Sequence, residues 1–427
     1  MKVAVIGTGV SGLVAAYKLQ ADFEVDIYEA NNYAGGHTNT IDVKDDGDML
    51  AVDTGFIVFN DWTYPNFIKL LRELNVTWQP TAMGFSVRSD RDNLEYCGSS
   101  LSALFAQKRN FFRPGHYRML ADIVKFNNKA IQDSLLGVIE METTLAQYLI
   151  AGNYSREFIS HYLLPMGAAI WSSDPARMLE FPARTFINFF KNHGLLSLKH
   201  RPNWHVIQGG SKCYVEQLLN RFRGRIYLNS LIKEVQRAGN QVRLINAAGR
   251  EMIYDKVVIA AHSDQALALL SKPSRKERQV LGAISYQANE AILHTDISLL
   301  PRIKRAWAAW NYHIPNTAGS ACTLTYNMNI LQSLNRSKTY CVTLNNTAAI
   351  NPGSIIRRIN YTHPIFDLKA IKAQKRWSEI NGVNNTYYCG AYWGFGFHED
   401  GVNSALRVVD RLKQDRLNEK LYIQRAS

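Results

Sequence analysis

Three glycines and a carboxylate near the amino end of the chain are spaced to bind a dinucleotide. Gly7, Gly9 and Gly12 follow G-x-G-x-x-G spacing. In that spacing the first glycine permits a tight turn, the second lets backbone approach a pyrophosphate, and the third brings a helix close to a strand. Glu29 follows at the distance where a carboxylate can hold ribose hydroxyl groups. The chemistry predicted for this segment is therefore the binding of a nucleotide diphosphate.

Regular elements must hold these residues in place. Val3 to Ile6 is a short run rich in β-branched residues, which predicts a buried parallel strand. Leu13 to Leu19 continues as a helix whose N-terminal N–H groups can face the phosphates. Val25 to Tyr28 predicts the second strand, which ends at Glu29. The order of strand, helix, strand and acid distinguishes this segment from a glycine-rich turn that binds no nucleotide.

A second glycine pair, Gly35 and Gly36, follows the acid closely. This extension resembles the flavoprotein fingerprint of the flavin amine oxidase and phytoene desaturase superfamily, and NAD-dependent dehydrogenases usually lack it. The resemblance implies that the cofactor is FAD, bound non-covalently. His37 stands where that superfamily usually has an arginine, so we expect weaker neutralisation of phosphate there.

Composition limits the class of protein. A chain of 427 residues with 46% hydrophobic and 20% charged residues suits two packed globular domains. No apolar run is long enough to cross a bilayer, and a first strand at Val3 leaves no room for a cleavable leader, so we expect neither feature. Five cysteines without C-x-x-C spacing indicate a reduced, cytoplasmic protein without a metal site.

The formal net charge of +13 favours anionic partners such as membrane surfaces or acidic substrates. No nucleic-acid-binding module is visible, so we expect no nucleic-acid partner. The basic residues concentrate in three segments: 271–278, 301–307 and 367–377. In the last segment, one predicted helical face carries Lys369, Lys372, Lys375 and Arg376. This face either rests on anionic lipid headgroups at the inner membrane face or is an ordinary solvated surface.

Longer motifs resemble a bacterial branch of the superfamily that is associated with cyclopropane fatty acid synthases. They are AGGHTNTI (34–41), VDTGFIVFNDWTYPNF (52–67), LPMGAAIWSS (164–173), FFKNHGLL (189–196) and GFGFHEDGVNSAL (394–406). The resemblance implies an α/β fold of the amine oxidase type, with a discontinuous Rossmann-type FAD-binding domain and a substrate domain of helices and mixed sheet. The FAD domain is expected at 1–60, 201–275 and 382–427, and the substrate domain at 61–200 and 276–381.

Local patterns fit this division. Apolar residues at three- and four-residue spacing predict helices in 67–76, 120–136 and 145–171. Strand-like runs occur at 290–296 and 338–346. We also expect a strand over 225–235, a buried strand from Lys256 that runs into a helix, and a C-terminal helix from about Gly401.

The resemblance also implies which residues contact the cofactor. The helix near Gly401 would point its N-terminus at the flavin and stabilise negative charge there. Two of these residues have simpler alternatives, since Asp53 can cap a tight turn and Asp400 can cap the helix. The predicted cofactor residues are Gly7, Gly9, Val10, Ser11, Gly12, Glu29, Ala30, Gly35, Gly36, His37, Thr38, Asp53, Gly55, Phe56, Ile57, Ile232, Ala260, Ala261, Gly390, Glu399, Asp400, Gly401 and Val402.

Catalytic side chains are not identified by the sequence, because a flavin performs the redox step itself. Aromatic residues near the glycine-rich segments are candidates for the substrate cavity, with ordinary core packing as the alternative. The candidates are Tyr64, Trp171, His193, Tyr392 and Trp393, followed by Trp62, Trp310, Tyr326 and Phe395. His363 is either structural or catalytic, and Cys389 is expected to be a buried thiol rather than a flavin tether.

Three functions are compatible with these patterns. The first is hydride transfer from an apolar substrate, such as a fatty acyl or modified lipid chain, to flavin N5, which the charge, the apolar inventory and the branch resemblance favour. The second is oxidation of an amine, which a protein with this positive charge would attract poorly. The third is a flavin-binding protein without turnover that partners a lipid methyltransferase.

Overall fold

The computed structural model describes residues 1–316 and 322–426. The strands are, in chain order, β1 (Lys2–Ile6), β2 (Glu24–Tyr28), β3 (Thr40–Asp45), β4 (Asp48–Asp53), β5 (Phe59–Asn60), β6 (Trp78–Pro80), β7 (Phe85–Ser89), β8 (Leu94–Cys97), β9 (Trp204–Ile207), β10 (Arg225–Tyr227), β11 (Ile232–Ala238), β12 (Gln241–Asn246), β13 (Glu251–Tyr254), β14 (Lys256–Ile259), β15 (Tyr286–His294), β16 (Trp310–Ile314), β17 (Leu324–Asn327), β18 (Cys341–Leu344), β19 (Ile355–Pro364) and β20 (Thr386–Tyr388). The helices are α1 (Val10–Leu19), α2 (Pro65–Glu73), α3 (Leu101–Leu104), α4 (Pro114–Leu136), α5 (Leu145–Ala151), α6 (Arg156–Phe158), α7 (Leu164–Trp171), α8 (Pro175–Met178), α9 (Ala183–Asn192), α10 (Lys212–Arg221), α11 (Ser263–Leu269), α12 (Arg275–Leu281), α13 (Met328–Leu331), α14 (Leu368–Gln374) and α15 (His398–Ala426).

A parallel sheet in the order β10-β2-β1-β14-β20 forms the centre of the first body of the molecule. Its middle strand is buried on both faces, because successive side chains point in opposite directions. Val3 and Val5 pack into a core with α1, α2, α10 and α15. Ala4 and Ile6 pack on the other side with β11 to β13, α11 and α12. The predicted α/β fold with a Rossmann-type sheet is confirmed.

A mixed sheet in the order β19-β15-β18-β17-β16-β7-β8 forms the centre of the second body. Its pairs are antiparallel except for β16 with β7. Helices α4 to α9 supply a core of fully buried aromatic rings that includes Phe126, Phe158 and Phe186. The helices predicted within 61–200 and the strands predicted within 276–381 are confirmed.

The two bodies are joined by smaller pairings. Strand β9 pairs with both β5 and β6, so the chain at 78–80 and the chain at 204–207 share one sheet. The β3–β4 hairpin is held to α10 through Asp53, whose carboxylate accepts hydrogen bonds from the Ser211 N–H at 2.9 Å and the Ser211 hydroxyl at 2.8 Å. The domain boundaries given above remain predictions.

The single strand expected over 225–235 is wrong. The structure divides it into β10 in the parallel sheet and β11 in an antiparallel sheet with β12. Between them the chain turns at Asn229, whose φ is 50°, and Ser230 donates its N–H to the Glu29 carbonyl at 2.7 Å. The turn carries the chain past the carboxyl end of β2.

The C-terminal helix starts at His398, three residues before the predicted start. It packs along α1, and a Cβ placed on Gly401 would lie 2.6 Å from Val10 Cγ1. Within residues 1–316 and 322–426, no helix combines the length and apolar character that crossing a bilayer requires.

Candidate functional site

One cavity of about 1190 Å³ extends from the carboxyl ends of the parallel strands to the aromatic helices of the second body. Small-molecule pockets typically measure about 300–1000 Å³, so this cavity can hold a dinucleotide together with a second ligand. We call the part next to α1 the cofactor arm, lined by 6–11, 28–31, 33, 35–36, 230–233, 260–262, 265 and 268–269. The substrate arm is the part between β7, α7, α9 and β16.

The cofactor arm is shaped by glycines at the start of α1. Gly7 has a φ of +103°, and a Cβ there would lie 2.8 Å from the Ala260 carbonyl oxygen. A Cβ on Gly12 would lie 2.0 Å from the Gly7 carbonyl oxygen, so α1 contacts the turn backbone to backbone. A Cβ on Gly9 would meet no atom within 4 Å. The gap beside Gly9 is therefore open to the cavity.

The first turn of α1 leaves its backbone N–H groups available. Gly9 is the N-cap residue, and no side chain caps the helix. The positive end of the helix and its unpaired N–H groups form an anion site. The second glycine pair closes over it, because a Cβ on Gly36 would lie 3.1 Å from Gly9 Cα. The geometry fits a diphosphate held by backbone alone.

Glu29 lines the cofactor arm at the end of β2. Its carboxylate accepts hydrogen bonds from the Thr8 N–H at 3.0 Å and from the Asn31 N–H and side-chain amide at 2.9 Å each. These donors fix the orientation of both oxygens. A carboxylate held in this way can accept hydrogen bonds from ribose hydroxyl groups.

A cluster of imidazoles lies where the two arms meet. The ring of His37 lies 5.3 Å from that of His363 and 5.8 Å from that of His262, centroid to centroid. Tyr361 stacks on His37 at 4.8 Å. Burial lowers the pKa of His37 and His262 to about 4 and that of His363 to about 3. The cluster is therefore neutral at pH 7.

The tautomer of His363 follows from its neighbours. Asn289 accepts a hydrogen bond from the Asn345 amide through its side-chain oxygen at 2.7 Å, so its Nδ2 faces His363 and donates to Nδ1 at 2.8 Å. With Nδ1 as an acceptor, the proton resides on Nε2. The His37 Nε2 atom is buried and has no hydrogen-bond partner within the described residues. His363 thus carries a proton on Nε2, and the Nε2 of His37 is left without a partner among the described residues.

His398, the first residue of α15, also lines the cavity. Its ring stacks on Phe56 at 3.4 Å, and its Nε2 lies 3.0 Å from Thr38 Oγ1 and 2.9 Å from the Tyr214 hydroxyl. Burial lowers its pKa well below the usual value. This contact brings the N-terminus of α15 to the cavity wall.

The substrate arm is apolar and aromatic. Its wall includes Tyr64, Phe85, Met166, Ile170, Trp171, Phe189, His193, Trp310, Tyr326, Phe395 and Phe397. Glu29, in the other arm, is the one carboxylate among the described residues that line the cavity. His193 stacks on Phe189 at 3.8 Å, and burial lowers its pKa to about 4. The substrate arm therefore offers no negative charge to a cation.

Most of the predicted cofactor residues line this cavity. They are Gly7, Gly9, Val10, Ser11, Glu29, Ala30, Gly35, Gly36, His37, Gly55, Phe56, Ile57, Ile232, Ala260, Ala261 and Gly390. The cavity candidates Tyr64, Trp171, His193, Tyr392, Trp310, Tyr326 and Phe395 line it as well. Direct contact of any of these residues with a cofactor or substrate remains a prediction.

Other predicted residues lie behind the wall: Gly12, Thr38, Asp53, Glu399, Asp400, Gly401 and Val402. Their groups contact protein instead of the cavity. Glu399 accepts hydrogen bonds from the Asn66 and Phe67 N–H groups at 3.0 and 2.8 Å, so it caps α2. Asp400 accepts one from the Phe397 N–H at 3.0 Å, and burial raises its pKa to about 7.

Two aromatic candidates are absent from the wall. Trp393 is packed among the core clusters on both sides of the parallel sheet, and Trp62 is exposed at the surface. Cys389 is a buried thiol inside the core, away from the cavity lining. Burial raises its pKa to about 12. The alternative of core packing holds for Trp393, and the buried thiol expected at Cys389 is confirmed.

The sequence did not single out His262, Tyr286, Tyr361 or His398, which all line the cavity. His262 directly follows the predicted pair Ala260 and Ala261, and His398 directly precedes Glu399. The predicted cofactor residues beside His262 and His398 therefore indicated these two positions. Tyr361 reaches the site through the register of β19 with β15, which sequence does not specify.

Comparisons with known proteins agree with this architecture. The sequence model of the family described as flavin containing amine oxidoreductase matches residues 10–301. No curated protein matches the chain. Among solved structures, the fatty acid isomerase of P. acnes is similar with a TM-score of 0.69 and 15% identity, over 96% of this chain and 98% of that one.

Two further solved structures have the same fold. A putrescine oxidase bound to putrescine has a TM-score of 0.66 and 14% identity, over 97% of this chain and 99% of that one. The cyclohexylamine oxidase of Brevibacterium oxydans has a TM-score of 0.66 and 14% identity, over 96% and 99%. At these identities the likeness concerns the fold.

Replacement of Gly9 tests the cofactor arm. In Gly9→Glu the new side chain fits the fold but fills the gap with a carboxylate, so we expect folded protein that purifies without flavin. Visible absorbance and circular dichroism measure the two properties. As a control, Gly12→Ala should destabilise the fold by about 3 kcal/mol, because its Cβ meets backbone. Normal flavin content in Gly9→Glu would place the cofactor elsewhere.

The buried imidazoles predict a loss of stability in acid. Their folded-state pKa values lie below the ordinary 6.5, so the folded protein binds fewer protons than the unfolded chain as pH falls from 6.5 towards 4. Each such histidine lowers the free energy of unfolding by up to about 1.4 kcal/mol per pH unit in that window. Denaturant unfolding across this range should show the fall, and His193→Gln should reduce it. A flat profile would contradict the neutral cluster.

Proposed function

We propose that this chain, which belongs to the family of flavin containing amine oxidoreductases and is an FAD-dependent oxidoreductase, acts on an apolar substrate, a fatty acyl or modified lipid chain. Bound FAD would supply, at flavin N5, the acceptor for a hydride taken from this substrate. The observation that carries the proposal is the aromatic substrate arm, whose described residues include no carboxylate. That wall suits an uncharged chain better than an ammonium ion.

The residues of the cofactor arm fit FAD. Backbone at Gly9, Val10 and Ser11 would hold the diphosphate, and Glu29 would hold the adenosine ribose. When bound, the isoalloxazine ring supplies a hydride acceptor. The open gap at Gly9 and the unpartnered Nε2 of His37 are the structural features that a bound ligand would complete.

The protein's own groups then have three roles. The aromatic wall excludes water from the reacting carbon. The N-terminus of α15, which begins at His398, directs positive potential towards the place where the arms meet. His363 holds a proton on Nε2 through its pairing with Asn289, and so can donate a hydrogen bond to a ligand at that junction.

Electrostatics favour the acyl chain over an amine. A cationic substrate in a desolvated cavity needs a compensating charge. The imidazoles nearby are neutral, Arg201 lines the cavity, and the chain as a whole carries +13. Amine oxidation remains the alternative, since putrescine oxidase and cyclohexylamine oxidase share the fold. The fatty acid isomerase of P. acnes has the same fold, which supports an acyl substrate.

We further propose that the protein is a cytoplasmic member of the branch associated with cyclopropane fatty acid synthases and works on the anionic inner face of a membrane. The net charge and the motifs at 34–41 and 394–406 support this. The basic helical face predicted within 367–377 supports it less, because α14 ends at Gln374, before Lys375 and Arg376. Lys372 pairs with Glu142 at 3.0 Å, and Arg376 pairs with Glu379 at 2.9 Å. Paired charges of this kind are typical of a solvated helix.

Anaerobic mixing with candidate substrates distinguishes the functions. Long-chain acyl lipids are expected to bleach the visible flavin absorbance, and a diamine is expected to leave it unchanged. Ile170→Trp should slow bleaching at least about tenfold by filling the substrate arm. Ile150→Trp, on an exposed position of α5, serves as the matched control. Bleaching by the diamine alone would establish the alternative, and bleaching by neither class would favour a flavin-binding partner without turnover.

A further inference from the structure

Exposed aromatic and basic side chains form one surface next to β8, an edge strand of the mixed sheet. We define the basic-aromatic patch by Leu101, Phe111, Phe112, Lys108, Lys304 and Arg305. Phe112 is 87% exposed, Leu101 79% and Phe111 52%. Large apolar side chains exposed together usually mark an interaction site.

The two segments of the patch are held together by packing. Beneath α3 and the following 3₁₀ turn (Lys108–Phe112), Ala103 and Ala106 pack against Ala306 and Ala308. The Phe111 ring stacks on Phe105 at 4.3 Å. The aromatic and basic side chains are therefore presented from a structured base rather than from loose chain.

The positive charge of the patch has no carboxylate to neutralise it. Lys108, Lys304 and Arg305 are exposed and form no ion pair within the described part of the chain. Lysines and arginines elsewhere are often paired, as Lys372 is with Glu142. Uncompensated cations next to protruding aromatic rings complement an anionic lipid surface, where the rings enter the interface and the cations contact headgroups.

A second copy of the chain is a poorer occupant of this surface. In a twofold dimer the same patch would face itself, and its cations would be brought against each other. The apolar side chains also protrude, and a lipid layer accepts protruding groups without a matching pocket. Charge complementarity thus favours lipid.

The patch adjoins the wall of the substrate arm. Gly84 lines the cavity, and a Cβ there would lie 3.4 Å from Ala308 Cβ and 3.9 Å from Ser99 Cβ. Ala308 belongs to the base of the patch. Lipid bound at the patch would therefore lie against the outer side of that wall.

We infer that the basic-aromatic patch is the surface through which this protein docks on anionic membranes. The inference rests on the proposed membrane function and identifies the residues that perform it. It differs from the basic segment 367–377, where Lys372 and Arg376 are paired with carboxylates.

Vesicle cosedimentation of the full-length holoenzyme tests the inference. We expect binding to phosphatidylglycerol vesicles that weakens with salt, and no binding to phosphatidylcholine vesicles. Phe111→Ser with Phe112→Ser should reduce the partition coefficient about tenfold, and Lys108→Gln with Lys304→Gln about twentyfold. Unchanged flavin absorbance shows that each variant is folded.

Matched controls separate the patch from general surface effects. Leu135→Ser with Leu136→Ser removes exposed apolar side chains at the end of α4, and Lys44→Gln with Lys69→Gln removes two exposed charges elsewhere. Both controls should bind like the wild type. Failure of the wild type to bind would overturn the membrane proposal itself. Binding unchanged in the patch variants would overturn only the patch, and a loss of self-association there would assign it to a dimer.

Discussion

Backbone contact at glycines is the constraint on which the rest of the molecule depends. α1 reaches the parallel sheet because Gly12 brings it against the Gly7 carbonyl, and α15 reaches α1 because Gly401 faces Val10. Side chains at Gly12 or Gly401 would push the helices apart. Gly9 is different, since a Cβ there would meet no protein atom within 4 Å. The close contacts at Gly12 and Gly401 thus leave an open gap at Gly9, beside the uncapped start of α1.

This arrangement determines where charge can be placed. The cofactor arm receives positive potential from the uncapped N-terminus of α1, and Lys233 lines the same arm. The position after the second glycine pair, where the superfamily usually has an arginine, carries no charge. His37 occupies that position instead, and it is neutral because it is buried. Its neighbours His262 and His363 are neutral for the same reason. The junction of the two arms therefore combines polar hydrogen-bonding atoms with little fixed charge, and the substrate arm beyond it has an aromatic wall.

The sequence predicted those features that arise from local chemistry. The strand, glycine turn and helix from β1 to β2 depend on residues close in the chain, and their order predicted both the sheet and a bound dinucleotide. That the dinucleotide is FAD followed from the resemblance carried by Gly35 and Gly36. Long-range register was harder to foresee. Tyr361 and His363 reach the cavity because β19 pairs with β15, and His398 does so because α15 packs along α1. Residues 225–235 were read as one strand, since a turn at Asn229 leaves no trace in the apolar pattern. Trp393 shows a further limit, because an aromatic beside flexible glycines can equally pack into the core.

The central claim is that a single cavity holds FAD in one arm and an uncharged acyl chain in the other. Mass spectrometry of the small molecules released when the purified protein is denatured tests this claim most directly. The account predicts about one FAD per chain, together with acyl lipid and without polyamine. Protein that releases no flavin, or that releases FAD with a polyamine in place of lipid, would contradict it.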